Sequence, residues 1–136
     1  MIHVYADISE EYSDDERATQ VISAVEDGIM FEMFEGGHIV FNTVDRSVRF
    51  DTEDAVAAGE DESVDWFLIL DLTVDRARES FSVEGVRYRF VDVEDEAVYL
   101  NREVDSNDLE KASDESAEEA AGRIGAEIGA EILEAL

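Results

Sequence analysis

The chain reads as an α+β fold: a curved, mainly antiparallel sheet of about seven or eight strands, with one N-terminal helix and a long C-terminal helix. Three observations predict it. A helical stripe follows a first short apolar segment, several short strand-like segments fill the middle, and a stripe of helical period ends the chain. At 136 residues the chain fits one domain. Its core is expected over residues 1–104, with the C-terminal helix at 105–136 packed on that core or on a partner subunit.

Taken in order, Ile2 to Asp7 alternates weakly and predicts a first strand. Ser13-Asp14-Asp15-Glu16 is a capping box, and Ala18, Val21, Ile22 and Val25 follow on one helical face. Gly28 stands where a left-handed helix cap belongs. Ile29–Glu35 and His38–Thr43 flank Gly36-Gly37 and predict a β-hairpin, because two glycines allow the positive φ of a tight turn. Ser47–Asp51 predicts a further short strand, and Glu53–Ala58 a single helical turn. Trp66 to Leu70 is an unbroken apolar run, as in a strand covered on both faces. Phe81–Val83, Val86–Val93 and Val98–Leu100 complete the strands. The last helix carries the stripe Ala117, Ala121, Ile124, Ile128, Ile132 and Leu136.

Charge bears on the solvent more than on the fold. Thirty-seven acidic and ten basic residues give a formal charge of -27. Such a chain repels itself in dilute buffer, whereas at molar salt the Debye length falls to about 3 Å. Lys111 is the only lysine, and acids are spread along the chain. A hydrophobic content of 45% separates it from disordered acidic tails. The composition resembles that of haloarchaeal cytoplasmic proteins. Salt adaptation with a cytoplasmic location is the expectation, and solvent cations are the expected company of the surface.

The absence of cysteine excludes disulfides and thiolate chemistry. No segment has the length and apolarity of a membrane span, and Met1–Asp7 has no signal-peptide pattern. Nucleotide-binding glycine loops and zinc-protease motifs are absent, so no cofactor, metal or catalytic residue is assigned. His3 and His38 read as strand residues. Asp92-x-Glu94-x-Glu96 lacks the sixth-position glycine of a calcium loop and reads as an acidic turn.

Two features depart from the background. In the last helix, Gly122, Gly125 and Gly129 sit where each glycine costs about 1 kcal/mol relative to alanine. The spacing Ala121, Gly125, Gly129 makes a smooth strip on which another backbone can close. Its occupant is either the chain itself or a second subunit, so Ala121, Gly125, Ile128, Gly129, Ile132 and Leu136 are candidate interface residues. The other feature is an arginine face, Arg87 and Arg89, able to bind an anion. Its commoner fate is cross-strand pairing with acids.

The sequence therefore favours a non-enzymatic interaction protein that associates with itself or another protein through the C-terminal helix. A small enzyme or ligand-binding domain, with a pocket between the sheet and the first helix, is the alternative. An acidic nucleic-acid mimic ranks below both, and neither nucleic acid nor membrane is an expected partner.

Overall fold

In the computed structural model, residues 1–8, 15–42, 50–77, 80–104 and 114–136 are described. The elements are β1 (Ile2–Ile8), α1 (Glu16–Glu35), β2 (Val40–Asn42), α2 (Thr52–Asp61), β3 (Trp66–Ala77), β4 (Ser80–Asp92), β5 (Ala97–Glu103) and α3 (Ala117–Ala135). They form one five-stranded sheet in the order β2-β1-β3-β4-β5. β1 runs parallel to β2 and β3, whereas β3, β4 and β5 are antiparallel neighbours. The fold is α+β, but its sheet is mixed and five-stranded, in place of the expected seven or eight mainly antiparallel strands.

The hairpin expected at Ile29–Thr43 accounts for much of that difference. Ile29 and Met33 continue the buried stripe of Ala18, Val21, Ile22 and Val25 through Gly28. Helix α1 therefore runs on to Glu35, and Gly36 caps it by donating its N–H to the Glu32 carbonyl. Gly37 alone of this pair takes a positive φ, 89°. Val40–Asn42 then lies parallel to β1, not antiparallel to a hairpin partner. At the other end, Asp15 is the cap and accepts from the Arg17 N–H; Ser13 of the expected capping box lies outside the described residues. Phe50 and Asp51 belong to no described strand, and Asp51 caps α2. The rest of the strand expected at Ser47–Asp51 lies outside the described residues.

Two crossovers explain the layering. The chain passes from β1 through α1 to β2, then through α2 back across β1 to β3. Steps in opposite directions along a sheet place right-handed crossovers on opposite faces. Accordingly, α1 and α3 cover one face over Val4, Leu68, Leu70, Leu72, Tyr88 and Phe90. Helix α2 covers the other, over Tyr5, Phe67, Ile69, Val91 and Val93. β3 thus has apolar neighbours on both sides, as its unbroken apolar run predicts. Beyond a bulge at Thr73/Val74, β3 and β4 pair only with each other among the described residues.

The helices of the first layer meet with almost no side chain between them. A Cβ built on Gly28 would lie 2.2 Å from the Gly122 carbonyl oxygen, and one on Gly125 would lie 2.1 Å from the Val25 oxygen. A Cβ on Gly129 would approach Ile29 O at 3.1 Å and Glu32 Cβ at 2.9 Å. Gly28 is therefore a crossing point inside a continuous helix and not a cap. These approaches advance together, from Val25/Gly125 to Glu32/Gly129 and on to Gly36/Leu133, so α1 and α3 run parallel.

Gly125→Ala would force two backbones apart and is expected to destabilise by about 1–3 kcal/mol. Gly122→Ala, whose new Cβ meets nothing nearer than 3.9 Å, is expected to stabilise by up to about 1 kcal/mol. Urea midpoints in molar KCl would read both. Equal midpoints for the two variants would contradict the packing described.

Candidate functional site

The register places all strand beginnings of the parallel set, and of β5, at one end. Val40 pairs with Ile2, Ile2 with Trp66, Trp66 with Asp92, and Asp92 with Ala97. Because α1 and α3 are parallel, both finish at this same end. Tyr99 ties α3 there, donating its hydroxyl to the Ala135 carbonyl at 2.5 Å. Its ring meets Trp66 edge-on at 5.3 Å. Arg102 pairs with Glu131, again joining β5 to α3. Beneath that pair, burial and then the Glu131 carboxylate push the Tyr88 phenol above its ordinary pKa.

Exposed apolar side chains collect at this end. Phe34 is 72% exposed, Ile39 67% and Phe31 63%. Phe34 stands in the last turn of α1, Phe31 one turn earlier on the same outward side, and Ile39 immediately before β2. Met1, Val98, Tyr99 and Leu136 are each close to half exposed. Ile39 is held against the first strand, since its carbonyl accepts from the Ile2 N–H at 2.9 Å. Sequence periodicity hid these residues. Phe31 and Phe34 fall in the Ile29–Glu35 segment expected as a hairpin arm, and only the continuation of α1 puts them outside its buried stripe.

Of the candidate interface residues, Ala121, Gly125, Ile128, Gly129 and Ile132 are buried within the chain, in the α1–α3 layer. Leu136 remains exposed, at the apolar end.

The arginine face lies on the opposite side of the sheet, beside the N-terminus of α2, where Arg89 donates to the Thr52 hydroxyl at 3.4 Å. Arg87 and Arg89 hold their guanidinium carbons 4.6 and 4.7 Å from the Phe50 ring centroid. Arg87 pairs with Asp71 at 2.5 Å, the cross-strand partnership expected of it. Alongside α2 runs a shallow concavity of about 440 Å³, lined by Thr52, Glu53, Val56, Ala57, Glu60 and Glu96. Neither histidine nor arginine lines it, and the space between the sheet and α1 is filled by core side chains. The acidic turn holds a hydrogen bond from the Asp95 N–H to Asp92. No group of three or more potential metal ligands occurs among the described residues.

His3 is a core residue. It stacks on Phe67 at 4.9 Å and meets Phe41 edge-on at 4.7 Å. Neither ring nitrogen has a hydrogen-bond partner among the described residues. Burial lowers its pKa, opposed by the Glu62 carboxylate. His38 lies between α1 and β2 and donates its N–H to the Met33 carbonyl.

No protein-family model matches the chain, and no curated protein matches it. Solved structures do. TolB from Acinetobacter baumannii is 14% identical over 98% of this chain, with a TM-score of 0.48. A PelC dodecamer from Paraburkholderia phytofirmans is 13% identical over 93% of this chain, with a TM-score of 0.54. A substituted PelC dodecamer from the same organism is 14% identical over 93%, with a TM-score of 0.51. This chain spans 27% of the TolB chain, and 82% and 84% of the two PelC chains. At such identities the PelC likeness is one of fold. No helix among the described residues is long and apolar enough to cross a membrane.

Because the buried His3 favours its neutral form, its contribution to stability is present above the unfolded-state pKa of about 6.5 and is lost as pH falls below it. The slope should reach at most about 1.4 kcal/mol per pH unit. Denaturation midpoints across this range in molar KCl should show the decline. A His3→Phe variant should lose it; an unchanged slope in that variant would assign the titration elsewhere.

Proposed function

We propose that this chain is a non-enzymatic interaction protein that associates with copies of itself in concentrated salt, through the end of the fold where the C-terminal helix finishes. The observation that carries the reading is the exposure of Phe31, Phe34 and Ile39 toward the end of the fold where Leu136 lies. Single exposed apolar residues are ordinary on protein surfaces. Two phenylalanines and an isoleucine, each at least 63% exposed and gathered at one end, are a surface that association would cover.

Charge supplies a condition on this association. Two copies at -27 repel each other in dilute buffer. At molar salt the repulsion is screened beyond about 3 Å while apolar contact is untouched. High salt therefore favours both the compact chain and the contact between chains. A salt-rich cytoplasm is the setting this composition suits. That PelC, a chain of similar fold, was solved as a dodecamer is compatible with the reading.

Sedimentation in molar KCl tests it. The expected mass exceeds that of the 15.2 kDa chain and falls as salt is lowered within the range where the chain stays folded. Phe34→Glu combined with Ile39→Glu, both at exposed positions, should give a folded monomer. A wild-type monomer in molar KCl, or a double variant with the wild-type mass, would overturn the proposal.

A further inference from the structure

We propose that Arg87 and Arg89, with the Thr52 hydroxyl, form a binding site for the phosphate group of a small molecule. The first observation is an exception in charge pairing. Arg17, Arg87, Arg102 and Arg123 each sit on a carboxylate. Arg89 has no carboxylate partner among the described residues, although the chain holds 37 acids. Its contacts are neutral and long: Nε to Asn101 Oδ1 at 3.4 Å and Nη1 to Thr52 Oγ1 at 3.4 Å.

Sheet register explains the exception. Arg87 lies between Asp71 on β3 and Glu103 on β5, whereas Arg89 lies between Ile69 and Asn101. Cross-strand neighbours therefore supply acids to one arginine and withhold them from the other. Both guanidinium groups nonetheless rest against the same ring, 4.6 and 4.7 Å from the Phe50 centroid. Asp71 pairs with Arg87 and Glu103 stands opposite it in register, so among the described residues Arg89 is the arginine of the two left with neutral partners. Phe50 fixes both guanidinium groups before any ligand arrives, which lowers the ordering cost of binding.

The ligand class follows from the donors. Guanidinium forks match paired oxygens, and a phosphate group has enough oxygens to meet both arginines and the Thr52 hydroxyl together. A carboxylate has only two. A polyanion such as nucleic acid is disfavoured, since its remaining charge would face the acidic surface around the site. For a small phosphate in molar salt those remote acids are screened, while contacts within about 3 Å persist.

The test follows the arginine Nε–H signals of the full chain by NMR in molar KCl, at constant ionic strength. Inorganic phosphate and glycerol phosphate are titrated separately, with acetate as the comparison. Saturable shifts of the Arg87 and Arg89 signals are expected with a phosphate and not with acetate. Tighter binding of glycerol phosphate would identify an organic phosphate as the ligand, and equal or weaker binding the free ion. Arg89→Gln should weaken binding by about tenfold or more, the loss of one charge-assisted contact. Arg87→Gln, at a side chain 54% exposed, should do likewise and guards against a folding defect in the first variant. Absence of saturation, equal response to acetate, or wild-type affinity in both variants would overturn the proposal. None of these outcomes depends on the oligomeric state.

Discussion

The fold depends on one close approach, the contact of two helix backbones at Gly28, Gly122, Gly125 and Gly129. Helix interiors disfavour glycine, at about 1 kcal/mol per position. What offsets that cost here is distance: a Cβ at Gly28 or Gly125 would meet a backbone oxygen near 2 Å. With the glycines in place, α1 and α3 become one slab over the sheet. They lie parallel, and both end at the same edge of the molecule.

That parallel arrangement organises the surface. Antiparallel helices would place the finish of α3 at the far end from the finish of α1. Instead Phe34, Ile39 and Leu136 share an end with Met1 and Tyr99, and the row Val40, Ile2, Trp66, Asp92, Ala97 fixes it across all five strands. The apolar end is thus a consequence of helix packing and register acting together. The other face of the sheet follows a different logic. There α2 covers part of the surface, the arginines lie beside its first residue, Thr52, and strand register decides which of them has an acid as cross-strand neighbour.

Some of this was legible in the residues. The central, doubly covered strand beginning at Trp66 follows from an unbroken apolar run, and the C-terminal helix from its stripe. Close backbone approach follows from glycines that a helix would otherwise avoid. The hairpin at Gly36-Gly37 was misleading for a specific reason. Its two glycines match a turn chemistry that is local, whereas the stripe extending from Val25 to Met33 is satisfied only by a second helix far along the chain. Gly28 belongs to the same case, since its cap-like position reflects the passage of α3. The exposed phenylalanines carried no signal of their own, because burial of Phe31 in a strand and exposure on a helix use the same letters.

By itself, then, the sequence determined the α+β class, the acidic composition, a strand covered on both faces and the glycine strip of the last helix. These are properties of composition and periodicity, which act over a few residues. Only the tertiary structure decided that the strip closes on α1, that the sheet is mixed with five strands, that apolar side chains gather at one end, and that register gives Arg89 Ile69 and Asn101 as cross-strand neighbours. Each of those is set by contacts between residues distant in the chain, where helix packing and strand register determine which side chains meet.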